Sequence, residues 1–359
     1  MPRELVVSEP GKLQIQEYQE PALAADQIRI RSEFAAPKHG TESHNLDADS
    51  AFSSSYFDDD YRMFLPGEKQ KAKFPKRVGN MAVGTIIEAG AAVTRFTVGD
   101  RVYGHLPIRE THTVSESRGM KTRHMGSGIR ESRIHPLPDG MTPEQAVLLD
   151  PAHFALAAVR DADIRLGEWV SVYGLGAIGL MIVQMAKRSG AERIFAVDPL
   201  EIRRQLAKKI GAEEAFDPAK CDPAFEVKKA TDKHGADVAI DVSGSYHALQ
   251  DAIRSVRYSG LVIAVSNYRG AATPLRLDQE WHHTRVTVKS SMPVWGNPSR
   301  DYPLWDDERL EDTVYRMMLD QKLITNGFLH PIVPFDKSDE GYMLIGEHPD
   351  RCIKLGVRF

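Results

Sequence analysis

The sequence predicts an α/β protein: a doubly wound parallel sheet in its second half, joined to a mainly-β domain formed by the rest. Three observations carry this expectation. Strand and helix patterns alternate from residue 169 onward, a glycine-rich turn links the first of those strands to its helix, and period-two strands mark the N-terminal part. At 359 residues the chain exceeds the size at which one hydrophobic core keeps growing, so two domains are expected.

In the N-terminal part, residues 14–16 and 27–31 alternate polar and apolar side chains, as half-buried strands do. The stretch 45–77 holds Ser53-Ser54-Ser55, Asp58-Asp59-Asp60 and several aromatics. It reads as a surface insertion or, alternatively, as a lid in which Tyr56, Phe57 and Tyr61 meet a polar ligand. Strands return at 83–90 and 96–102, punctuated by glycines, whereas 104–133 is polar with little periodicity. Residues 143–160 are helical in pattern. Strands at 169–173, 193–197, 238–242 and 261–265 then alternate with helices at 177–189, 201–210 and 246–256, and 286–290 closes the sheet. A helix at 308–321 follows, and 352–359 reads as a strand returning to the first domain. The expected domains are 149–291 for the parallel sheet and 1–148 with 292–359 for the β-rich one.

The formal charge of −4 gives no reason to expect a nucleic-acid or anionic-membrane partner, and the Lys228-Lys229 pair reads as the solvated face of a helix. Two cysteines, Cys221 and Cys352, fit a reducing compartment and cannot build a disulfide framework or a four-cysteine zinc site. Met1-Pro2-Arg3-Glu4 lacks a signal-peptide apolar region, and no uncharged run approaches the roughly 20 residues that span a bilayer. A cytoplasmic protein without membrane or nucleic-acid partners is expected.

Gly174-Leu175-Gly176-Ala177-Ile178-Gly179 places Gly-x-Gly-x-x-Gly between a strand and a helix. Gly174 makes the tight turn, Gly176 lets a pyrophosphate approach the backbone, and Gly179 lets helix and strand pack closely; this is the dinucleotide-binding turn of a Rossmann sheet. The strand at 193–197 ends in Asp198, 24 residues after Gly174. A carboxylate there accepts hydrogen bonds from ribose hydroxyls and repels a 2′-phosphate, which predicts NAD as cofactor. Arg203 and Arg204 follow on the next helix, where they would soften that preference and Arg203 joins the cofactor set; the favoured reading makes both solvent-facing.

Together with Gly40-Thr41-Glu42-Ser43-His44, the run 83–102 and Lys208-Lys209-Ile210-Gly211-Ala212, these motifs resemble the medium-chain dehydrogenase/reductase family, particularly its zinc-type alcohol, polyol and threonine dehydrogenases. The resemblance covers nearly the whole chain. It implies a GroES-like catalytic domain, an active site in the cleft between domains, and a homodimer or homotetramer. The chain departs from the family's zinc motifs. His39 stands where a ligand cysteine is expected, Gly79-Asn80-Met81 replaces Gly-His-Glu, and Asp150 alone fills its ligand position suitably. Amide and thioether are poor zinc donors, so a metal-free site is expected, with no metal ligands. His44 or His153 would be needed to complete a rearranged site.

The family pattern implies that Thr41 and His44 relay the alcohol proton through the cofactor ribose. In the absence of zinc, His39 is the first candidate to polarise the oxygen, and Lys38 the second. Asp150 orients His39 or binds a substrate hydroxyl; alternatively it caps the helix beginning near Pro151. Thr41 also counts as a cofactor contact or as a helix cap, and His153 as a neighbour of the nicotinamide or a buried structural histidine. His105 and His112 lie in a segment resembling the pocket wall. His282-His283 reads as a surface turn, and Trp281 and Trp295 as packing or interface residues. The expected activity is NAD-dependent interconversion of a secondary alcohol and ketone on a hydroxylated small molecule: a polyol, cyclitol or sugar derivative. The alternatives are a zinc-free quinone or enoyl reductase, a lyase or epimerase primed by bound NAD, and a non-catalytic dinucleotide-binding protein.

Overall fold

The computed structural model describes residues 1–42, 55–58, 60–67, 73–116, 134–292, 305 and 307–359. The chain forms two compact units, Met1–Leu148 with Leu329–Phe359, and Leu149–Phe328.

The first unit contains β1 (Arg3–Glu9), β2 (Lys12–Glu17), β3 (Gln27–Ala36), α1 (His39–Glu42), β4 (Ser55–Asp58), β5 (Met63–Pro66), β6 (Lys76–Arg77), β7 (Met81–Ala89), β8 (Arg101–Gly104), β9 (Thr111–Ser115), β10 (Ile134–Pro136) and α2 (Pro143–Ala146). Strand β3 organises it. Ile28 and Ile30 alternate inward, and the strand pairs antiparallel with both β7 and β9. The core gathers Leu5, Ile28, Ile30, Ile86, Val102, Leu355 and Val357. Sequence periodicity missed β9 within 104–133, because its inward side chains include the buried His112 rather than an apolar run.

The second unit runs α3 (Leu149–Ala162), β11 (Trp169–Tyr173), α4 (Ala177–Arg188), β12 (Arg193–Val197), α5 (Glu201–Ile210), β13 (Glu214–Phe216), α6 (Pro223–Ala230), β14 (Ala236–Asp241), α7 (Tyr246–Ser255), β15 (Val256–Ala264), β16 (Thr287–Ser290) and α8 (Asp307–Leu319). Its strands lie in the order β13-β12-β11-β14-β15-β16, every neighbouring pair parallel. This is the doubly wound arrangement, with the order reversing between β11 and β14. The first unit is completed by β17 (Leu329–Pro334), α9 (Ser338–Glu347) and β18 (Lys354–Arg358). Strand β18 joins β3 antiparallel and β17 parallel, so 352–359 does return to the β-rich unit.

Several local expectations need correction. The helix expected at 143–160 is two helices. Thr142 caps the first through a capping box with Gln145, and Asp150 lies inside the second rather than capping it. The second unit runs to Phe328, so the described residues 292, 305 and 307–328 group with the parallel sheet, whereas 292–359 was expected in the catalytic domain. Two observations explain this: α8 packs on α3, and Trp305 is stacked by Arg160 at 3.9 Å and Arg309 at 4.3 Å. Lys228 is not a solvated helix residue. Its Nζ donates to His234 O and Val256 O, and burial lowers its pKa. Among the described residues no helix is long and apolar enough to cross a membrane.

Candidate functional site

The glycine turn sits where the sheet order reverses. Gly174 has φ +87°, and a Cβ there would approach Ser243 Cα to 2.8 Å. At Gly179 a Cβ would fall 1.9 Å from Gly174 O, so no side chain fits. Gly176 is different: its Cβ would meet nothing within 4 Å, and it begins α4 without a side-chain cap. Two glycines therefore close the turn, while the third leaves space in front of the free N–H groups at the start of α4, with Ala177 and Ile178 in its first turn. That arrangement fits a dinucleotide pyrophosphate.

Asp198 braces the same turn. It is 3% exposed, one carboxylate oxygen accepting Leu175 N–H at 2.7 Å and the other Leu200 N–H at 2.8 Å. Each oxygen retains a second lone pair for a ribose hydroxyl. Arg203 Nη1 lies 3.7 Å from Asp198. Arg204 is not solvent-facing: it is buried, donates to Asp198 O and pairs with Glu201 and Asp217. One feature escaped sequence reasoning. Asp241, fully buried at the end of β14, accepts Tyr268 O–H at 2.6 Å and Ser243 N–H at 2.9 Å. Burial pushes the Asp241 carboxyl up to about 6, and burial together with the Asp241 charge pushes the Tyr268 phenol up. Asp150 and His153 lie buried on α3, and His282 and His283 are exposed.

In the first unit, Lys38 and His39 follow the inner end of β3 and are both half-buried. His39 Nε2 accepts the Leu355 N–H at 2.9 Å, which assigns the neutral ring its proton on Nδ1. Beside it, Lys354 is only 4% exposed, and its Nζ donates to Pro37 O at 2.6 Å. Lys354 was legible as a lone charge within the apolar run Ile353–Val357, but no motif singled it out. Asn80 N–H donates to Ala36 O at 3.2 Å, and Asn80 Oδ1 lies 3.3 Å from His105 Nδ1. His112, by contrast, is buried against Ser32 at 3.1 Å, so it belongs to the packing of β3 and β9. Thr41 lies in α1, and its side chain is outside the described set, as are Trp295 and His44 entirely. Tyr56 and Tyr61 on the β4–β5 hairpin are exposed.

Comparison with known proteins gives these features a family. The zinc-binding dehydrogenase model matches residues 177–304, and the alcohol dehydrogenase GroES-like domain matches 51–155. The chain is 37% identical to the D-guloside 3-dehydrogenase of Escherichia coli K12, covering 99% of this chain and 100% of that protein. It is 32% identical to the (R,R)-butanediol dehydrogenase of Bacillus subtilis 168, over 63% of this chain and 68% of that one. The crystal structure of 2R,3R-butanediol dehydrogenase from Bacillus subtilis superposes with a TM-score of 0.73 at 22% identity, covering both chains completely. The chain belongs to the medium-chain dehydrogenase/reductase family of zinc-type alcohol dehydrogenases, with its Rossmann sheet and GroES-like domain. Within that family it is an enzyme of the alcohol and polyol dehydrogenase type. These relatives do not favour the reductase, lyase or non-catalytic alternatives.

Proposed function

We propose that the protein uses NAD to oxidise one ring hydroxyl of a glycoside or related polyol to the ketone, without a catalytic zinc. The observation that carries the reading is the full-length similarity to a D-guloside 3-dehydrogenase, on a chain whose dinucleotide turn is intact. Asp198 at the end of β12 supports NAD over its 2′-phosphorylated form. The chemistry of two residues supports metal independence: His39 Nε2 is directed at a backbone N–H, and Asn80 is an amide, a poor zinc donor.

Bound NAD would accept the hydride. The remaining work falls to the chain: Thr41 and His44 carry the hydroxyl proton outward, Lys38 and His39 shape the oxygen's electrostatics, and Asp150 and His153 are further candidates to contact a substrate hydroxyl and the nicotinamide. In this reading the enzyme is a cytoplasmic homodimer or homotetramer, and the exposed outer strand β16 supports the oligomeric part. The test is NADH formation at 340 nm with chelator-treated enzyme and a panel of glycosides, polyols, cyclitols and simple alcohols. Turnover that survives chelation and favours glycosides supports the proposal. Activity restored only by added zinc would sink its metal-free part.

A further inference from the structure

Strand β14 ends in Asp241, beside the glycine turn. Val242 N–H donates to Tyr173 O at 2.8 Å, and a Cβ on Gly174 would approach Ser243 Cα to 2.8 Å, so the segment after β14 packs directly on that turn. The segment after β15 reaches the same place. Its Val265 N–H donates to Asp241 O at 2.9 Å, and Tyr268 O–H donates to Asp241 Oδ2 at 2.6 Å. Asp241 Oδ1 accepts the Ser243 N–H at 2.9 Å. One carboxylate therefore ties together the two segments that leave the carboxyl ends of β14 and β15. They border the crevice where a doubly wound sheet binds its ligand.

Asp241 is fully buried, and among the described residues no cation pairs with it. The titratable groups around it are phenols: Tyr173 on β11, Tyr268 after β15 and, 5.4 Å from the Tyr268 ring, Tyr246 at the start of α7. On α7, Asp251 and Arg254 face Tyr173, and His247 faces Asp251. Phenols keep their protons where a carboxyl titrates, so the Tyr268 donor is constant and the acceptor is what changes. A buried carboxylate without a cation is costly, and groups of this kind gather at functional clefts. Both its oxygens already accept donors. A proton on the carboxyl displaces one of them or reverses the Tyr268 bond, and the charge-assisted bonds, roughly twice as strong as neutral ones, are lost.

We propose that Asp241 is a positioning residue of the dinucleotide site: its ionised carboxylate, acting through Ser243 and Tyr268, fixes the wall packed on the glycine turn, and protonation loosens that wall and weakens cofactor binding. The proposal rests on the dinucleotide-binding part of the reading above and is independent of the substrate.

NADH affinity, read by fluorescence without substrate from pH 5 to pH 8, tests it on the wild-type protein. The dissociation constant should rise about tenfold from pH 8 to pH 5, since roughly nine-tenths of a group with a pKa of about 6 is protonated at pH 5. Asp241→Asn carries no charge at any pH. It should fold, and it should bind NADH weakly at pH 8 with a flat dependence down to pH 5. Tyr268→Phe keeps the ring beside Tyr246 but removes a bond that holds the Asp241 carboxyl down, so the midpoint of the pH dependence should move upward. A merely structural contact would weaken binding without moving that midpoint. A wild-type affinity that is flat over this range, or an Asp241→Asn profile parallel to wild type, overturns the proposal alone. An Asp241→Asn protein that does not fold overturns it too, by making the carboxylate structural. A wild type that binds no dinucleotide at any pH overturns the dinucleotide reading, and this proposal with it.

Discussion

Single residues of the glycine turn separate stability from binding. Gly176→Ala has room in the fold, so it should unfold near the wild-type temperature yet bind NADH at least tenfold more weakly, because the new methyl occupies pyrophosphate space. Gly179→Ala drives a methyl into Gly174 O and should unfold well below wild type. Thermal melts with NADH fluorescence titration distinguish the two; equal behaviour would contradict the assigned roles. Asp241 makes a prediction about pH. Its folded pKa of about 6 lies above its ordinary value of 3.8, so the native state holds a proton that the unfolded chain releases. Its contribution is therefore most favourable below pH 4 and is lost as pH rises through 6. Asp241→Asn should match wild type near pH 4 and exceed it at pH 7 by about 1–3 kcal/mol. Parallel stability curves across that range would refute the account.

At the scale of elements, the α2 cap gives a simple check. Thr142→Ala removes the bond to Gln145 N–H and should cost about 1 kcal/mol in urea unfolding, without changing NADH affinity. Elements also show how much could be read from sequence. The alternation beyond residue 169 was legible because each buried strand is a short apolar run and each helix, such as α5, keeps an apolar stripe. The β-rich unit was less so. There, strand β9 pairs with β3 through Thr111, His112 and Thr113, a pattern without hydrophobic period; in the parallel sheet the short, half-buried β13 gave no comparable signal. For the site, glycines and Asp198 announce themselves by spacing. Asn80, His105, Lys354 and Asp241 do not, because their significance lies in burial and in partners brought from distant parts of the chain.

At the scale of the whole molecule, β16 is the outermost strand of the parallel sheet and is exposed along its length, with Val288 39% exposed. An uncovered edge invites strand pairing with a second copy. Light scattering on the purified protein should give a mass at least twice the 40.1 kDa of one chain, and Val288→Lys should shift it toward the monomer. A monomeric wild type would defeat that expectation. The first unit carries a different long-range dependence. Its histidine at position 39 rests on the Leu355 N–H, a partner 316 residues away. At a synthesis rate of about 5–20 residues per second, His39 waits roughly 15 to 60 seconds on the ribosome before that partner exists. Late in that interval the parallel sheet can already fold, whereas until its end β3 lacks its β18 neighbour and presents an open backbone edge. The nascent chain is thus most exposed to mispairing at β3, and a holding chaperone would find its target there rather than in the dinucleotide-binding half.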